Sequence, residues 1–234
     1  MTKNNAMRLG SVMLVLALLS TCALCGTFAK YTTKATNATD TARVAKWGVN
    51  LSAPSDVTIF DASYAKDGTT EIANTVVSST SGKVLAPGTK GDVPKATLSG
   101  KTEVATKVSY KVDKLDLTGW TISYTNSSSE AKTDEFYFPV KFTVGSDTVD
   151  TSSATSAADV KQAIQDALDD KAVEVAAGTE LSTGVTQPEI KWSWDFPSTA
   201  DANTDIKDTA LGTAANSTDQ TIEIAISTSV TQID

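Results

Sequence analysis

The sequence predicts an all-β protein made of antiparallel strands, with one amphipathic helix inserted among them and an extended N-terminal segment. Two observations carry this prediction: apolar and polar residues alternate in several segments, and glycines and prolines lie between those segments. Alternation with a period of two residues is typical of strands that bury one face. With turn residues between them, such strands favour a sandwich or a barrel of antiparallel sheets.

The first element of the chain is a short basic region followed by an apolar run. Lys3 and Arg8 come first, without any acidic residue, and the apolar run covers residues 12–24. This order of a positive region, a short apolar region and small residues is typical of a secretory signal peptide. A membrane-spanning helix needs about 20 apolar residues, so we expect no permanent span. We therefore predict a signal peptide, residues 1–29, that is cut after Ala29.

Both cysteines of the chain, Cys22 and Cys25, lie inside the predicted signal peptide. The exported chain then has no disulfide, and burial of a core must hold its fold. The stretch LSTC, which ends at Cys22, leaves a second possibility open, because it loosely resembles the box at which lipoproteins receive their lipid. We place lipidation second, because Thr21 stands where Gly or Ala is usual.

The composition argues against several classes of function. The chain has a net charge of −8 and no basic stripe, which argues against a nucleic-acid partner. It has no histidine, which removes Ser-His-Asp and Cys-His catalysis. Because both cysteines leave with the predicted signal peptide, the exported chain also lacks the usual zinc ligand sets. The adjacent carboxylates Asp134–Glu135 and Asp169–Asp170 are interpreted as solvated charge, since neighbours on a strand point to opposite faces. We expect that the protein is not an enzyme.

The alternation of apolar and polar residues is clearest in four segments, EVATKVSYKV (103–112), FYFPVKFTV (136–144), IKWSWDF (190–196) and TIEIAISTSVTQ (221–232). The aromatic residues on the apolar faces of these segments are predicted to form the core: Phe136, Phe138, Phe142, Trp192, Trp194 and Phe196. Aromatic residues that alternate along a strand can instead form a sugar-binding platform. We place that alternative second, because apolar partner strands are present to cover the rings.

One segment has helical spacing instead. Ser156 is a suitable N-cap with Asp159 three residues later, which is the arrangement of a capping box. Val160, Ile164 and Leu168 follow at the spacing of one helix face, so we predict an amphipathic helix over 157–170 that lies on a face or closes one end of the sandwich. Acidic residues dominate its polar face, which argues against binding to a membrane.

Two polar segments are interpreted as turns. DANTD (201–205) carries oxygen ligands of the kind that calcium accepts, but it lacks the spacing and the glycine of an EF-hand loop. We predict a turn without metal there, with a weak structural calcium site as the alternative and no other cofactor. APGTKG (86–91) matches neither phosphate-binding signature and is predicted to connect two strands.

Several stretches of the chain together resemble a known family. GTFAKYTT (26–33) is similar to the signal-peptide end that the SipW-type signal peptidase of Gram-positive bacteria uses. Five further stretches resemble the TasA/camelysin-like group of exported proteins. They are DTARVAKWGVNLS (40–52), the turn LAPGTKG (85–91), IKWSWDFP (190–197), the turn DTALGTAA (208–215) and IEIAISTSVTQID (222–234). These motifs occur in order over nearly the whole chain.

The resemblance implies a jelly-roll β-sandwich that is secreted to the cell surface and the biofilm matrix. Subunits of that kind polymerise into fibres by donor-strand complementation, in which the N-terminal segment of one subunit completes the sheet of the next. The implied partners are other copies of the chain and a SipW-type signal peptidase, and the need for an accessory initiator or matrix protein stays open. Camelysin-like members have also been labelled metalloproteases, but a chain without histidine gives no catalytic residue to carry over.

The segment that follows the predicted cleavage site suits the donor role. Residues 30–42 precede a single domain predicted for 43–234, and the segment is rich in β-branched Thr without Pro or Gly. An extended segment of this kind can pair with an open sheet edge of another chain. The predicted donor strand consists of Lys30, Tyr31, Thr32, Thr33, Lys34, Ala35, Thr36, Asn37, Ala38, Thr39 and Asp40. Since only Tyr31 is large, an extension into Val44 and Trp47 is considered, and a disordered leader is the alternative.

Three functions are ranked from these observations. The first is a structural subunit of an extracellular fibre or pilus. The second is a monomeric adhesion or carbohydrate-binding module at the cell surface. The third, a secreted hydrolase, is placed last because of the missing histidine.

Overall fold

The computed structural model describes residues 42–55, 57–65, 74–196 and 202–233. The chain divides into two compact units, Met1–Val44 and Ala45–Asp234. The elements below all belong to the second unit. The predicted signal peptide and the predicted donor strand lie outside the described residues.

Most elements are short strands. The strands are β1 (Trp47–Ser52), β2 (Ser63–Ala65), β3 (Asn74–Val77), β4 (Lys90–Val93), β5 (Thr97–Thr102), β6 (Thr106–Thr118), β7 (Thr121–Thr125), β8 (Ala131–Phe136), β9 (Lys141–Val144), β10 (Asp147–Val149), β11 (Val173–Val175), β12 (Ile190–Ser193) and β13 (Thr221–Gln232). The helices are α1 (Ala157–Asp169), α2 (Leu181–Gly184) and α3 (Ala202–Ala214).

The strands pair into several antiparallel sheets, which confirms the prediction of a mainly antiparallel β-protein. One sheet has the order β10-β9-β12-β4 and a second has the order β11-β6-β13. Three further pairs are β1-β5, β2-β3 and β7-β8. Every one of these pairings is antiparallel, and no sheet formed by the described residues closes on itself.

The longest pairing joins β6 and β13, which run side by side from Thr106↔Gln232 to Thr118↔Thr221. Its register shifts in the middle, where Ala225 faces Lys114 but Ile226 faces Val112. Asp113 is therefore an extra residue on β6, which makes this irregularity a β-bulge of β6 rather than of β13.

The buried faces of the strands form one apolar cluster. Val108 and Val112 of β6, Phe142 of β9 and Trp192 of β12 are all at most 1% exposed. The Trp192 ring lies 5.1 Å from the Phe60 ring, and the Trp192 Nε1–H donates to the Ile59 carbonyl at 2.9 Å. The Trp192 side chain therefore has a hydrogen-bond acceptor for its indole N–H and an apolar contact for its ring.

Of the six aromatic residues predicted for the core, Phe138, Phe142, Trp192 and Trp194 are buried, and Phe136 is half-buried against the core. Phe196 is 71% exposed, so its assignment to the core is wrong. The reason is that β12 ends at Ser193, and the Phe196 ring then lies over Gly88, where a Cβ would stand 2.4 Å from the ring.

The stretch 136–144 alternates as predicted but is not one strand. β8 ends at Phe136 and β9 begins at Lys141, with Pro139 between them. Proline has no N–H to donate to a ladder, which explains the interruption. The alternation of burial continues through the break, since Phe138 and Val140 are both buried.

Helix α1 matches the helix predicted for 157–170 within one residue. The Ser156 hydroxyl caps it by accepting from the Asp159 N–H at 3.3 Å. The Asp159 carboxylate accepts from the N–H and the hydroxyl of Thr155, both at 2.9 Å, so it reaches one residue further back than in a capping box. Val160, Ile164 and Leu168 are fully buried, as the spacing predicts.

A second long helix, α3, was not predicted. It contains most of the DANTD and DTALGTAA stretches, and both predictions of a turn there are therefore wrong. Its sequence, ANTDIKDTALGTA, combines poor helix formers such as Thr, Asp and Gly with no continuous apolar stripe. Packing against β7 and burial of Leu211 stabilise it instead.

Candidate functional site

β6 is the central strand of the three-stranded sheet: on its side away from β13, β11 pairs with Thr106–Val108 and helix α1 covers the residues that follow. The Gln165 side-chain amide donates to the Tyr110 carbonyl at 3.1 Å and accepts from the Val112 N–H at 2.8 Å. The Lys161 Nζ donates to the carbonyl of the bulged Asp113 at 3.0 Å. The helix thus satisfies backbone groups that a neighbouring strand would otherwise bind.

The other edge strand of this sheet, β13, has no such cover from the residues that the structure describes. Within the described ranges β13 pairs only with β6, although it is 12 residues long. Its sequence, TIEIAISTSVTQ, contains no lysine and no proline, and the bulge lies on its partner strand. Proteins normally protect a long edge with such features, because its free N–H and C=O groups pair readily with another strand.

An apolar groove lies along this open edge and encloses a cavity of about 440 Å³. Five consecutive residues of β13, Ile224 to Thr228, line it. Because successive side chains of a strand point to opposite faces, a groove contacts five in a row only where it follows the edge of the strand.

The opposite wall of the groove comes from the edge of the four-stranded sheet. Val93 and Pro94 contribute it at the end of β4, together with Ile190 at the start of β12. Leu51 and Val57 complete the rim, and they are 41% and 57% exposed. An edge with free backbone groups thus lies beside apolar walls, which is the arrangement that accepts an added strand.

Tyr110 also lines the groove and is 4% exposed. Its hydroxyl forms no hydrogen bond with any residue that the structure describes. Burial raises the pKa of the Tyr110 hydroxyl. A buried hydroxyl without an acceptor destabilises the free protein, so this side of the groove is not fully satisfied.

The predicted donor strand, Lys30–Asp40, lies outside the described residues. The considered extension of the donor to Trp47 is wrong. Trp47 belongs to β1 and pairs with Thr102 of β5 in its own chain. The preceding residue is also fixed, because the Lys46 N–H donates to the Glu103 carboxylate at 2.9 Å and its carbonyl accepts from the Glu103 N–H at 3.0 Å.

A second cluster of polar residues joins α3 to the β7–β8 hairpin, and the sequence analysis missed it. Glu135 was interpreted as solvated charge, but its carboxylate accepts from the Lys207 Nζ at 2.6 Å and from the Tyr124 hydroxyl at 3.0 Å. The hydrogen bond from Lys207 lowers the pKa of Glu135. Lys207 also lies about 5.5 Å from the centre of the Tyr124 ring, a cation–π contact.

Asp208 lies next to this cluster and is only 8% exposed. The Tyr137 hydroxyl donates to its Oδ1 at 2.6 Å, while its Oδ2 has no hydrogen bond within the described part of the chain. Burial raises the pKa of Asp208, and the Tyr137 hydroxyl and the nearby indole N–H of Trp194, which does not reach hydrogen-bond geometry, oppose that rise. No sequence signal indicated this residue, because it lies on the helix that was not predicted.

The remaining observations concern metals and membranes. The residues that the structure describes contain no group of three acidic, His or Cys side chains that could hold a metal ion. The structure shows no helix long and apolar enough to cross a membrane among the same residues.

Comparison of the chain with protein-family models, curated proteins and solved structures finds no match.

Proposed function

We propose that this protein is a secreted structural subunit of an extracellular fibre, which polymerises when the N-terminal segment of one copy enters the groove of the next. The observation that carries the proposal is the apolar groove along the open edge of β13. The other side of the sheet supports it, because there β11 and α1 satisfy backbone groups of β6, whereas β13 pairs with no second strand among the described residues.

The length of the predicted donor strand suits this edge. Lys30–Asp40 has eleven residues, which span about 36 Å when extended. β13 offers 12 residues for pairing. Main-chain hydrogen bonds to the edge supply affinity that does not depend on large side chains, which accommodates a segment rich in Thr.

The charges of the donor strand indicate which of its faces enters the groove. Its three charged residues, Lys30, Lys34 and Asp40, are separated by even numbers of residues and so share one face. The opposite face is uncharged and consists of Tyr31, Thr33, Ala35, Asn37 and Thr39. We assign this uncharged face to the groove, because burying an unpaired charge there would be strongly unfavourable.

The donor and the groove are different surfaces, so their contact joins subunits head to tail. A contact of that kind generates an open filament when it does not close into a ring. The jelly-roll arrangement of the sheets, the export by the signal peptide and the location in the biofilm matrix belong to the same proposal. They are supported by the resemblance of the sequence motifs to TasA/camelysin-like proteins.

Electron microscopy of the purified chain 30–234 tests the proposal. Filaments are expected, and a chain that lacks Lys30–Asp40 should remain a monomer with unchanged circular dichroism. Monomers of the chain 30–234 that persist at high concentration, with and without a filament seed, would overturn the proposal.

A matched pair of substitutions tests the assigned face of the donor strand. Thr33→Lys places a charge on the face that enters the groove and should abolish filaments. Thr32→Lys places the same charge on the outer face and should leave filaments intact. If both variants formed filaments, or neither did, the donor strand would not present one particular face to the groove.

The exposed ring of Phe196, rather than Trp192, favours the alternative of a carbohydrate-binding module. Trp192, the first candidate for a sugar platform, is 1% exposed and cannot contact a sugar. Phe196 is 71% exposed beside a cavity of about 730 Å³ that Asp150 and Asp195 also line. If this is a sugar site, Phe196→Ala should abolish binding to a glycan array while leaving filaments unchanged.

A further inference from the structure

One face of β1 carries apolar side chains that the described residues of the folded unit leave partly exposed. We call Trp47, Val49 and Leu51 the β1 flank; they alternate along the strand and therefore share a face. Trp47 is 48% exposed and Leu51 is 41% exposed, while Val49 between them packs against the core. The other three tryptophans of the chain are all at most 6% exposed. A half-exposed tryptophan on a regular strand is typical of an interaction surface.

The β1 flank is held rigidly. β1 pairs with β5 over six residues, and the backbones approach so closely that a Cβ on Gly48 would lie 2.3 Å from the Lys101 carbonyl oxygen. Gly100 adopts a positive φ of 95° opposite Val49, and the Glu180 carboxylate accepts from its N–H at 2.7 Å. These contacts fix the backbone of β1, so little backbone entropy is lost when a partner covers this strand.

The position of the β1 flank in the chain determines what can reach it. The predicted donor strand ends at Asp40, and Lys46 is already fixed to the folded unit through Glu103. The chain between Asp40 and Lys46 spans at most about 20 Å when fully extended. A folded unit the size of Ala45–Asp234 has a radius of gyration of about 16 Å. A subunit that holds the donor strand therefore comes within about 20 Å of Lys46, close to where β1 begins.

We propose that the β1 flank is the second contact between neighbouring subunits, and that it packs against the copy whose groove holds the donor strand of the same chain. This inference rests on the proposed function and adds the surface that fixes the angle between subunits. The groove rim of the second copy offers the apolar Val57, which is 57% exposed, as a contact for Trp47. The donor strand joins the two subunits, and the β1 flank fixes the angle between them.

A competing occupant is the donor strand that arrives from the preceding subunit, because Leu51 also lines the chain's own groove. Trp47 lies at the far end of β1, about 13 Å from Leu51, and does not line that groove. The short stretch between Asp40 and Lys46 favours the body of the next subunit as the occupant. The two occupants make different predictions for Trp47.

Acrylamide quenching of tryptophan fluorescence in the chain 30–234 distinguishes them. Trp47→Phe identifies the signal of Trp47, since the other three tryptophans are buried. In filaments the quenching of Trp47 should be lost. A synthetic peptide of Lys30–Asp40, added to the chain below the concentration at which it assembles, should leave the quenching of Trp47 unchanged. Protection of Trp47 by the peptide alone, or full quenching of Trp47 in filaments, would overturn this inference.

A second variant tests the same contact through assembly. Trp47→Ser should raise the lowest concentration that supports filaments at least about tenfold. Val77→Ser removes a 62% exposed apolar residue elsewhere and should not change that concentration. Unchanged assembly of Trp47→Ser overturns the inference and leaves the proposed function standing. Absence of filaments from the unsubstituted chain overturns both.

Discussion

At the scale of single residues, the fold depends on polar side chains that belong to no periodic pattern of the sequence. Glu135, Lys207 and Asp208 join α3 to the strands through hydrogen bonds to tyrosines and to one another. In the sequence, an acidic residue in a Thr-rich stretch, such as Asp208, looks the same whether its side chain is buried or exposed to solvent. Its burial becomes visible only when the helix that carries it is seen to pack on the strands.

Asp208 makes the stability of the protein depend on pH. Burial raises its pKa above the ordinary value of 3.8, so the folded protein binds this proton more tightly than the unfolded chain does. The contribution of the protonated carboxyl is fully present below pH 3.8 and is lost as the pH rises through the raised pKa. We expect Asp208→Asn to remove this loss and to be more stable than the unsubstituted protein at neutral pH.

Urea unfolding of both proteins across this range of pH measures the effect. The side-chain amide oxygen that Asp208→Asn introduces can still accept from the Tyr137 hydroxyl, so the variant changes the charge and keeps the contact. An identical dependence of the two unfolding free energies on pH would show that Asp208 titrates as an exposed acid.

Trp192 and Phe196 lie four residues apart and should respond oppositely to truncation. Trp192→Ala removes a buried ring that contacts Phe60 and should lower the unfolding free energy by about 3–5 kcal/mol. Phe196→Ala removes an exposed ring and should change it by about 0.5 kcal/mol or less. Chemical denaturation measures both, and a large loss for Phe196→Ala would mean that its ring is buried in solution.

At the scale of elements, the sequence predicts those with a clear period. β6, β9, β12, β13 and α1 were predicted because their buried residues recur at two or at three to four residues. The three-residue strands β2, β10 and β11 are too short to show any period. Helix α3 was missed because tertiary packing, rather than its own propensity, stabilises it.

Helix α1 has a role that its amphipathic pattern does not reveal, which is to satisfy the edge of β6. Gln165→Ala removes both hydrogen bonds to Tyr110 and Val112 and should lower the unfolding free energy by about 1–3 kcal/mol. Gln162→Ala is the matched control, because Gln162 lies on the same helix and bonds to Asp166. Similar stability of the two variants would mean that water replaces the Gln165 amide without loss.

At the scale of the whole molecule, the central feature is the difference between its two sheet edges. The sequence alone predicted an exported chain with an extended segment, but not the groove that would receive it. Which edge stays open depends on pairings between residues as far apart as Tyr110 and Thr228, and on a helix that covers one side. Such non-local information is absent from any single periodic segment.

The proposal makes the molecule asymmetric, with a donor strand at one end and a groove elsewhere. Addition of each copy would bury one groove and leave another free, so growth continues in one direction. The β1 flank adds a second contact beside the connection. The two contacts are separable by experiment, because one depends on Lys30–Asp40 and the other on Trp47.

Hydrogen exchange of the β13 amides tests the central claim most directly. In filaments of the chain 30–234, the free-edge amides in the stretch Ile224–Thr228 should exchange far more slowly than in the monomer, because the donor strand accepts their hydrogen bonds. The amides of α1, which are already bonded within the helix, should not change. Unaltered exchange along β13 in filaments seen by electron microscopy would contradict the claim, since the subunits would then be joined without using the groove.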